Sequence, residues 1–382
     1  MTTPDDFTAL REKPFSDAIS QLEELLDQGG KAFLLGAGCS KCAGLPQMAE
    51  LTERVLASTD LDGTAKAMLG ELGRLFDGAP DVNIEDYLSE LIDLLAIADR
   101  RRSRRAGSAQ ATLGGSTYSA DQLSAAVEQM KLAISKAIDV PAPVDVHRRF
   151  VSAVHRPRRP GRPTAGQIVD YLVLNYDTLI EDALGLERLP FSDGMEGGST
   201  GWWSPATFDR PELAARVFKL HGSIDWRESP RDLLPLRIAA SVRESLPDDR
   251  RIMIWPASTK YRETQLDPYA QLAERFRRLL RPPHGSQRLL LVCGYRFGDA
   301  HINLEIDGAL RESDGRVTVA VFTSQREPMG RLREWTEDPS VQRQVLVYAK
   351  GGFFHGADSR PAVTELPWWT FENMTRLLEG DL

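Results

Sequence analysis

The chain has 382 residues, 42% of them hydrophobic and 27% charged, with a formal net charge of −8. That balance suits a globular core, and its acidic sign excludes wholesale nucleic-acid binding, which favours a basic surface. No apolar run approaches the roughly 18 residues of a membrane helix, and the start MTTPDDFTALREKPF is too polar for a leader, so a cytoplasmic protein without membrane attachment is expected.

Along the chain, residues 15–29 predict an amphipathic helix in which Ile19, Leu22, Leu25 and Leu26 share a face and Gly29 and Gly30 end it. A buried strand, KAFLLG, follows, then GAGCSKCAG, then a helix opening at Pro46, a favoured first-turn residue. Strand, Gly-rich turn and helix form the first half of a dinucleotide-binding unit, although Lys41 occupies the third glycine slot of the G-x-G-x-x-G fingerprint. The same stretch holds Cys39 and Cys42 in metal-knuckle spacing. With Cys293 the only other cysteine and the histidines scattered, ligands for a zinc ribbon are too few, and the Trp or Pro flank of a redox pair is absent. No metal is expected, and the cysteines read as small side chains beside a tight turn.

Residues 47–160 read as a helical insertion, clearest at 83–99 and 119–138, with the polar connection RRRSRRAGSAQATLGGS between them. The basic segments at 100–105 and 156–163 lack interleaved aromatics and read as solvated linkers. Strands return at 167–175, 216–222, 251–256, 288–294, 316–323 and 344–350, as short apolar runs that suit a parallel sheet buried on both faces. Helices at 267–281 and 300–312 fall between them. The expected fold is α/β: a doubly wound, mostly parallel Rossmann-like sheet with a helical insertion subdomain. The expected organisation is one domain over 1–350 and a tail over 351–382.

In such sheets ligands bind outside the carboxyl ends of the strands. The residues that follow the strands are GAGCS, NYD, HGSID and GYRFGDAHIN. Gly36 and Gly38 would let backbone approach an anion. Asn175 offers a carboxamide to orient a water or a sugar hydroxyl, and Asp177 an acceptor. His221 stands just before Gly222, and a histidine, whose unperturbed side chain titrates near neutrality, suits a general base. Each has a plainer account alone: Asn175 or Asp177 could cap the helix that TLIEDAL predicts, and His221 could be a satisfied strand-end histidine. His301 fits the rim or a helix cap better than catalysis.

GAGCSKCAGLP, LNYDTLIE, KLHGSIDW and CGYRFGDAHIN, in that order over about residues 31–325, resemble the motifs of sirtuin-like domains, most of all the bacterial branch used in anti-phage defence. The resemblance implies that Gly36, Ala37, Gly38 and Ser40 hold NAD, that Asn175 and Asp177 match the family's Asn-x-Asp, and that His221 matches its catalytic histidine. It places the segment with Gly294, Tyr295 and Asp299 against the adenosine end. It implies an NAD hydrolase that cleaves NAD, as substrate, to nicotinamide and ADP-ribose and so depletes it on infection. Two departures count against a protein deacylase: the two zinc-binding cysteine pairs are missing, and QMAEL follows Gly44-Leu45-Pro46 where the deacylating branch has Asp-Phe-Arg. A deacylase or ADP-ribosyltransferase is the alternative within that chemistry, and a non-catalytic NAD or ADP-ribose sensor the alternative outside it. Freely running NAD hydrolysis would kill the cell, so the resemblance also implies a gate: a homo-oligomer, with a HerA-like ATPase or another sensor or activator protein as partner. The aromatic cluster LPWWTF (366–371) would serve as an interface anchor or pack on the core.

Overall fold

The computed structural model describes residues 7–28, 30–79, 82–104, 109–156, 168–239, 252–254 and 267–380. Its centre is a sheet built from β1 (Gly30–Leu35), β2 (Val169–Val173), β3 (Phe191–Ser192), β4 (Ala215–Lys219), β5 (Arg288–Cys293), β6 (Val317–Thr323), β7 (Val345–Ala349), β8 (Gly352–His355) and β9 (Asp358–Pro361). The strand order is β9-β8-β7-β6-β5-β1-β2-β4-β3. Strands β1 to β7 run parallel, and β8 and β9 extend the edge antiparallel. The expected doubly wound α/β fold is present.

The unbroken apolar runs follow from helices on both faces. Phe33 and Leu35 of β1 join Tyr171, Val173 and Leu291 in one core with the helices Phe15–Gln28, Asp145–His155 and Phe371–Glu379. Ala32 and Leu34, one residue out of phase, enter a second core with Leu172, Leu290, Val292 and the helices Tyr269–Leu279, Ala300–Glu312 and Arg331–Glu337. Successive side chains of a strand point to opposite faces, so a sheet buried twice needs apolar residues at every position. Residues 352–379 add to the same body. Trp368 is fully buried, its indole N–H donates to Ala349 O at 2.8 Å, and its ring stands edge-on to Phe15 and Tyr348. Trp368 and Phe371 are thus core residues, and Trp369 is half-buried against the same core.

The insertion is a third core, formed by the helices Met48–Leu56, Gly63–Leu75, Ile84–Ser103 and Ala120–Ile138 around Leu72, Leu88, Leu91, Met130 and Ile134. Two of these helices start at capping boxes, Asn83 with Asp86 and Ser119 with Gln122. The polar connection between them is not structureless. Gln110–Leu113 and Ser116–Ser119 form a hairpin, because Gly114 and Gly115 take the positive φ values (56° and 87°) that a two-residue hairpin turn requires. Arg105 and residues 157–163 of the basic segments lie outside the described residues.

Two further elements differ from expectation. No helix opens at Pro46: a 3-10 turn, Ala37–Ala43, follows β1, Gly44 ends it in the left-handed region, and the α-helix starts at Met48. The run at 251–256, described at 252–254, is not in the parallel sheet. Ile252–Ile254 pairs antiparallel with Gly222–Glu228 in a second sheet that continues through Pro235–Arg237, Gly201–Trp203 and Met195–Gly197. It is apolar on both sides because Ile252 and Ile254 pack on the insertion and Met253 on the second core, a burial that periodicity cannot tell from a parallel strand.

Gly222 makes the corner between β4 and that second sheet. Its φ is 88°, and a Cβ there would sit 1.9 Å from Met253 O. Gly222→Ala should therefore cost about 1–3 kcal/mol from overpacking alone. Gly63→Ala, where a Cβ meets nothing within 4 Å, should be neutral or stabilising by a few tenths of a kcal/mol up to about 1. Urea unfolding midpoints check the pair, and equal midpoints would contradict it.

Candidate functional site

From β1 the chain moves to β2 and β4 on one side, then crosses to β5, β6 and β7 on the other, so the order reverses between β1 and β5. A crevice outside the carboxyl ends of the strands is expected there. Register brings the four motifs level. Leu35 pairs with Val173 and with Cys293, and Val173 pairs with Lys219. Ala37, Asn175, His221 and Tyr295 therefore all lie two residues beyond one rung. The ladder continues one step further, with Leu174 N–H donating to Leu35 O (3.0 Å) and Leu220 N–H to Val173 O (3.1 Å).

The glycines of the first motif are required by another strand's exit. Gly36 N–H donates to Cys293 O at 3.0 Å and Gly38 N–H to Gly294 O at 3.1 Å. A Cβ on Gly36 would lie 2.5 Å from Gly294 O, and one on Gly38 2.6 Å from Gly294 Cα. Gly294 has φ 68°, and a Cβ there would meet Cys39 N at 2.6 Å. Main chain packs on main chain, and the space that a side chain would take is filled by protein.

Asn175, half-buried, spends both amide hydrogens on this loop, donating to Gly36 O (3.1 Å) and Ser40 Oγ (2.7 Å). Ser40 donates in turn to Asp177 Oδ2 (2.6 Å), and Asp177 Oδ1 accepts from Leu179 N–H (3.2 Å). Asp177 thus binds the first N–H of the helix Leu179–Leu186, whose N-cap is Thr178 without a side-chain cap bond, while its other oxygen closes a relay from the second motif to the first. Asn175 does not cap.

His221 and Asp299 are both buried, with His221 Nε2 3.2 Å from Asp299 Oδ2. Asp299 Oδ1 accepts from His301 N–H (2.9 Å) and Ile302 N–H (3.3 Å), capping Ala300–Glu312, and His301 sits in that first turn. Tyr295 Oη accepts from Asp299 N–H and faces Asn303 Oδ1, each at 3.1 Å. Burial pushes the Tyr295 hydroxyl well above the ordinary tyrosine range. The late motif thus supplies the carboxylate that meets His221. Sequence reasoning missed this pairing; an Asp directly before the predicted helix AHINLEIDGALRE was its available signal.

Two residues outside the expected set complete the arrangement. Lys219, the last residue of β4, is fully buried; its ammonium donates to Asp177 O and lies 3.4 Å from Glu181 Oε1. From the insertion, Glu85 accepts from Tyr176 Oη at 2.9 Å, and the Tyr176 ring lies 6.4 Å from that of His221.

The cysteines are packed rather than poised. Cys39 Sγ donates to Cys293 O (3.2 Å) and Cys42 Sγ to Cys39 O (3.3 Å). Burial pushes the Cys39 thiol well up and that of Cys42 up to about 12, so neither is a thiolate near neutral pH. Among the described residues no group of three or more His, Cys, Asp or Glu is arranged to hold a metal ion.

The model of the SIR2-like domain matches residues 170–343, from β2 to just before β7, a span that includes Asn175, Asp177, His221 and Asp299. No curated protein matches the chain. Similar solved structures include a Sir2 homologue variant in complex with ADP-ribose, 14% identical, covering 94% of this chain and 95% of that one at a TM-score of 0.40. A multiply substituted Sir2 homologue in complex with 2'-O-acetyl ADP-ribose is also 14% identical, covering 82% and 87% at 0.37.

Glu181 yields a pH prediction. Burial pushes its carboxyl up to about 7; the Lys219 ammonium pulls the other way, and Asp193 and Asp225, both paired with Arg237, add smaller pushes. Between pH 4.5 and 7 the folded chain therefore holds a proton that the unfolded chain has lost, and this group's contribution to stability falls as pH rises through that window. The slope is at most about 1.4 kcal/mol per pH unit. Glu181→Gln should flatten the fall of the urea midpoint over that range, and parallel profiles would refute the assignment.

Proposed function

We propose that this protein is an NAD hydrolase, releasing nicotinamide and leaving ADP-ribose. The observation that carries the reading is the placement of Asn175 and His221 at one level on adjacent strand exits, the second against a buried carboxylate. Both lie within the SIR2-like match. The N-glycosidic bond breaks with its electron pair going to nicotinamide, and positive charge develops on the ribose ring, where fixed dipoles stabilise it. Asn175, with its amide hydrogens on Gly36 O and Ser40, keeps its carbonyl oxygen for orienting the attacking water. His221 takes the water's proton as oxygen bonds to the ribose carbon. The carboxylate of Asp299, against Nε2, stabilises the imidazolium that results.

The missing zinc-ribbon ligands support metal-independent turnover, and activity should survive chelator. The wider reading is depletion of NAD in the cytoplasm on phage infection, gated by a homo-oligomer or by a partner such as a HerA-like ATPase. It rests on the motif resemblance.

His221→Ala and Asn175→Ala should each lower nicotinamide release by about 10²–10⁴ while circular dichroism stays unchanged. Asp299→Asn keeps a good helix cap, so it should fold, yet it should lose turnover through the histidine. Near-full turnover in His221→Ala would sink the mechanism. Consumption of NAD only when an acetylated peptide is added would replace hydrolysis with deacylation. Light scattering alongside the assay tests the gate, which a constitutively active monomer would exclude.

A further inference from the structure

We propose that Lys219 is a positioning residue: its buried ammonium holds the turn from Asn175 to Asp177 in the shape that catalysis needs, with the Glu181 carboxyl beside it. This deepens the NAD hydrolase reading and rests on it. The side chain of Lys219 is fully buried, two residues before His221, on the strand beside β2. A lysine taken out of water loses its charge or finds compensating partners. Here the partners are the main-chain oxygen of Asp177 and, at 3.4 Å, the carboxyl of Glu181.

The position of that oxygen gives the contact its purpose. Residues 175–178 lie between the end of β2 and the helix Leu179–Leu186, where a ladder no longer supplies donors. The carbonyl at 176 accepts from Ile224 N–H (3.0 Å) and Ser223 Oγ (3.3 Å), and the carbonyl at 177 accepts from Lys219. One short stretch, KLHGSI, therefore grips two carbonyls of the second motif while carrying His221 between its grips. Asn175 and Asp177 on that turn hold the Gly loop through Gly36 and Ser40. A twist of the turn would move all of these together. Lys219 touches no reacting atom; it acts through Asn175.

A purely space-filling role would be served as well by an apolar side chain of the same length, and replacing a buried ion pair in that way is often neutral for stability. The test uses that fact. Lys219→Met/Glu181→Gln, compared with the wild type above pH 7 where Glu181 is ionised, removes both charges at nearly constant volume. It should melt close to the wild type, lose about 10²-fold in kcat for nicotinamide release, as an ångström-scale misplacement does, and change KM for NAD little. Amide exchange over residues 174–180 should rise while that of β5 and β6 does not. Lys219→Arg, which keeps charge and donors, should restore much of both readouts.

Unchanged exchange over 174–180, or kcat within threefold of wild type in the folded double variant, would overturn the proposal. A double variant that fails to fold would also overturn it, by showing that the pair serves the whole body rather than the turn. If the wild-type chain released no nicotinamide, the hydrolase reading would fall, while the exchange measurement would still decide what Lys219 holds.

Discussion

Two neighbouring strand exits in this protein touch backbone to backbone. Gly36, Gly38 and Gly294 sit where any Cβ would overlap main-chain atoms of the opposite loop, and N–H···O bonds of 3.0 and 3.1 Å cross the gap. At a reversal of strand order the chain ordinarily leaves such exits in opposite directions, which opens the crevice. Here the crevice is floored by the contact itself. The Gly36 carbonyl is thereby fixed, accepting from Cys39 N–H at 2.9 Å and from the amide of Asn175. Asn175, Ser40 and Asp177 take their positions from that fixed oxygen.

The second constraint runs across the sheet. His221 follows β4 and Asp299 follows β5, and β1 and β2 lie between those strands. Three strand spacings amount to about 14 Å, so the segment from Gly294 to Asp299 must arch over two strand ends to bring the carboxylate to the ring. Phe297, with φ 60°, lies in the arch, and the Tyr295 hydroxyl against Asp299 N–H and Asn303 braces it. The arch positions the histidine, and Asp299 at its end also caps the following helix.

The parts legible in the sequence were those where local chemistry and long-range geometry agree. Strands β1, β2, β5, β6 and β7 are apolar at nearly every position because both faces are covered, and the motif residues follow strands where a parallel sheet exposes its functional rim. The hairpin at 110–119 carried its own signal, the Gly114–Gly115 pair, outweighed by the polar and basic residues before it. Ile252–Ile254 was not legible, since an apolar triplet reports burial and says nothing of which sheet buries it. Nor was the meaning of Gly36 and Gly38. A glycine admits close approach, but only the fold says whether a ligand or Gly294 makes it. Lys219 was not legible because no local pattern announces a buried ammonium; its partners lie 42 and 38 positions away.

Alternation along residues 175–177 also explains why the insertion is no appendage. Asn175 and Asp177 turn toward the Gly loop, so the intervening Tyr176 must turn away, as successive side chains of extended backbone do. It turns into the insertion's core beside Leu179, Ile224, Ile252 and Ile254, where its hydroxyl meets Glu85 in the first turn of Ile84–Ser103. Glu85 there complements the positive end of the helix. Gln47, on the way into the insertion, donates to Ala37 O at 3.1 Å. The insertion therefore grips both the first motif and the second, each within a residue of a candidate site group. Through Tyr176 and Ala37 the helices of the insertion are thus tied directly to the residues that flank Asn175 and Gly36.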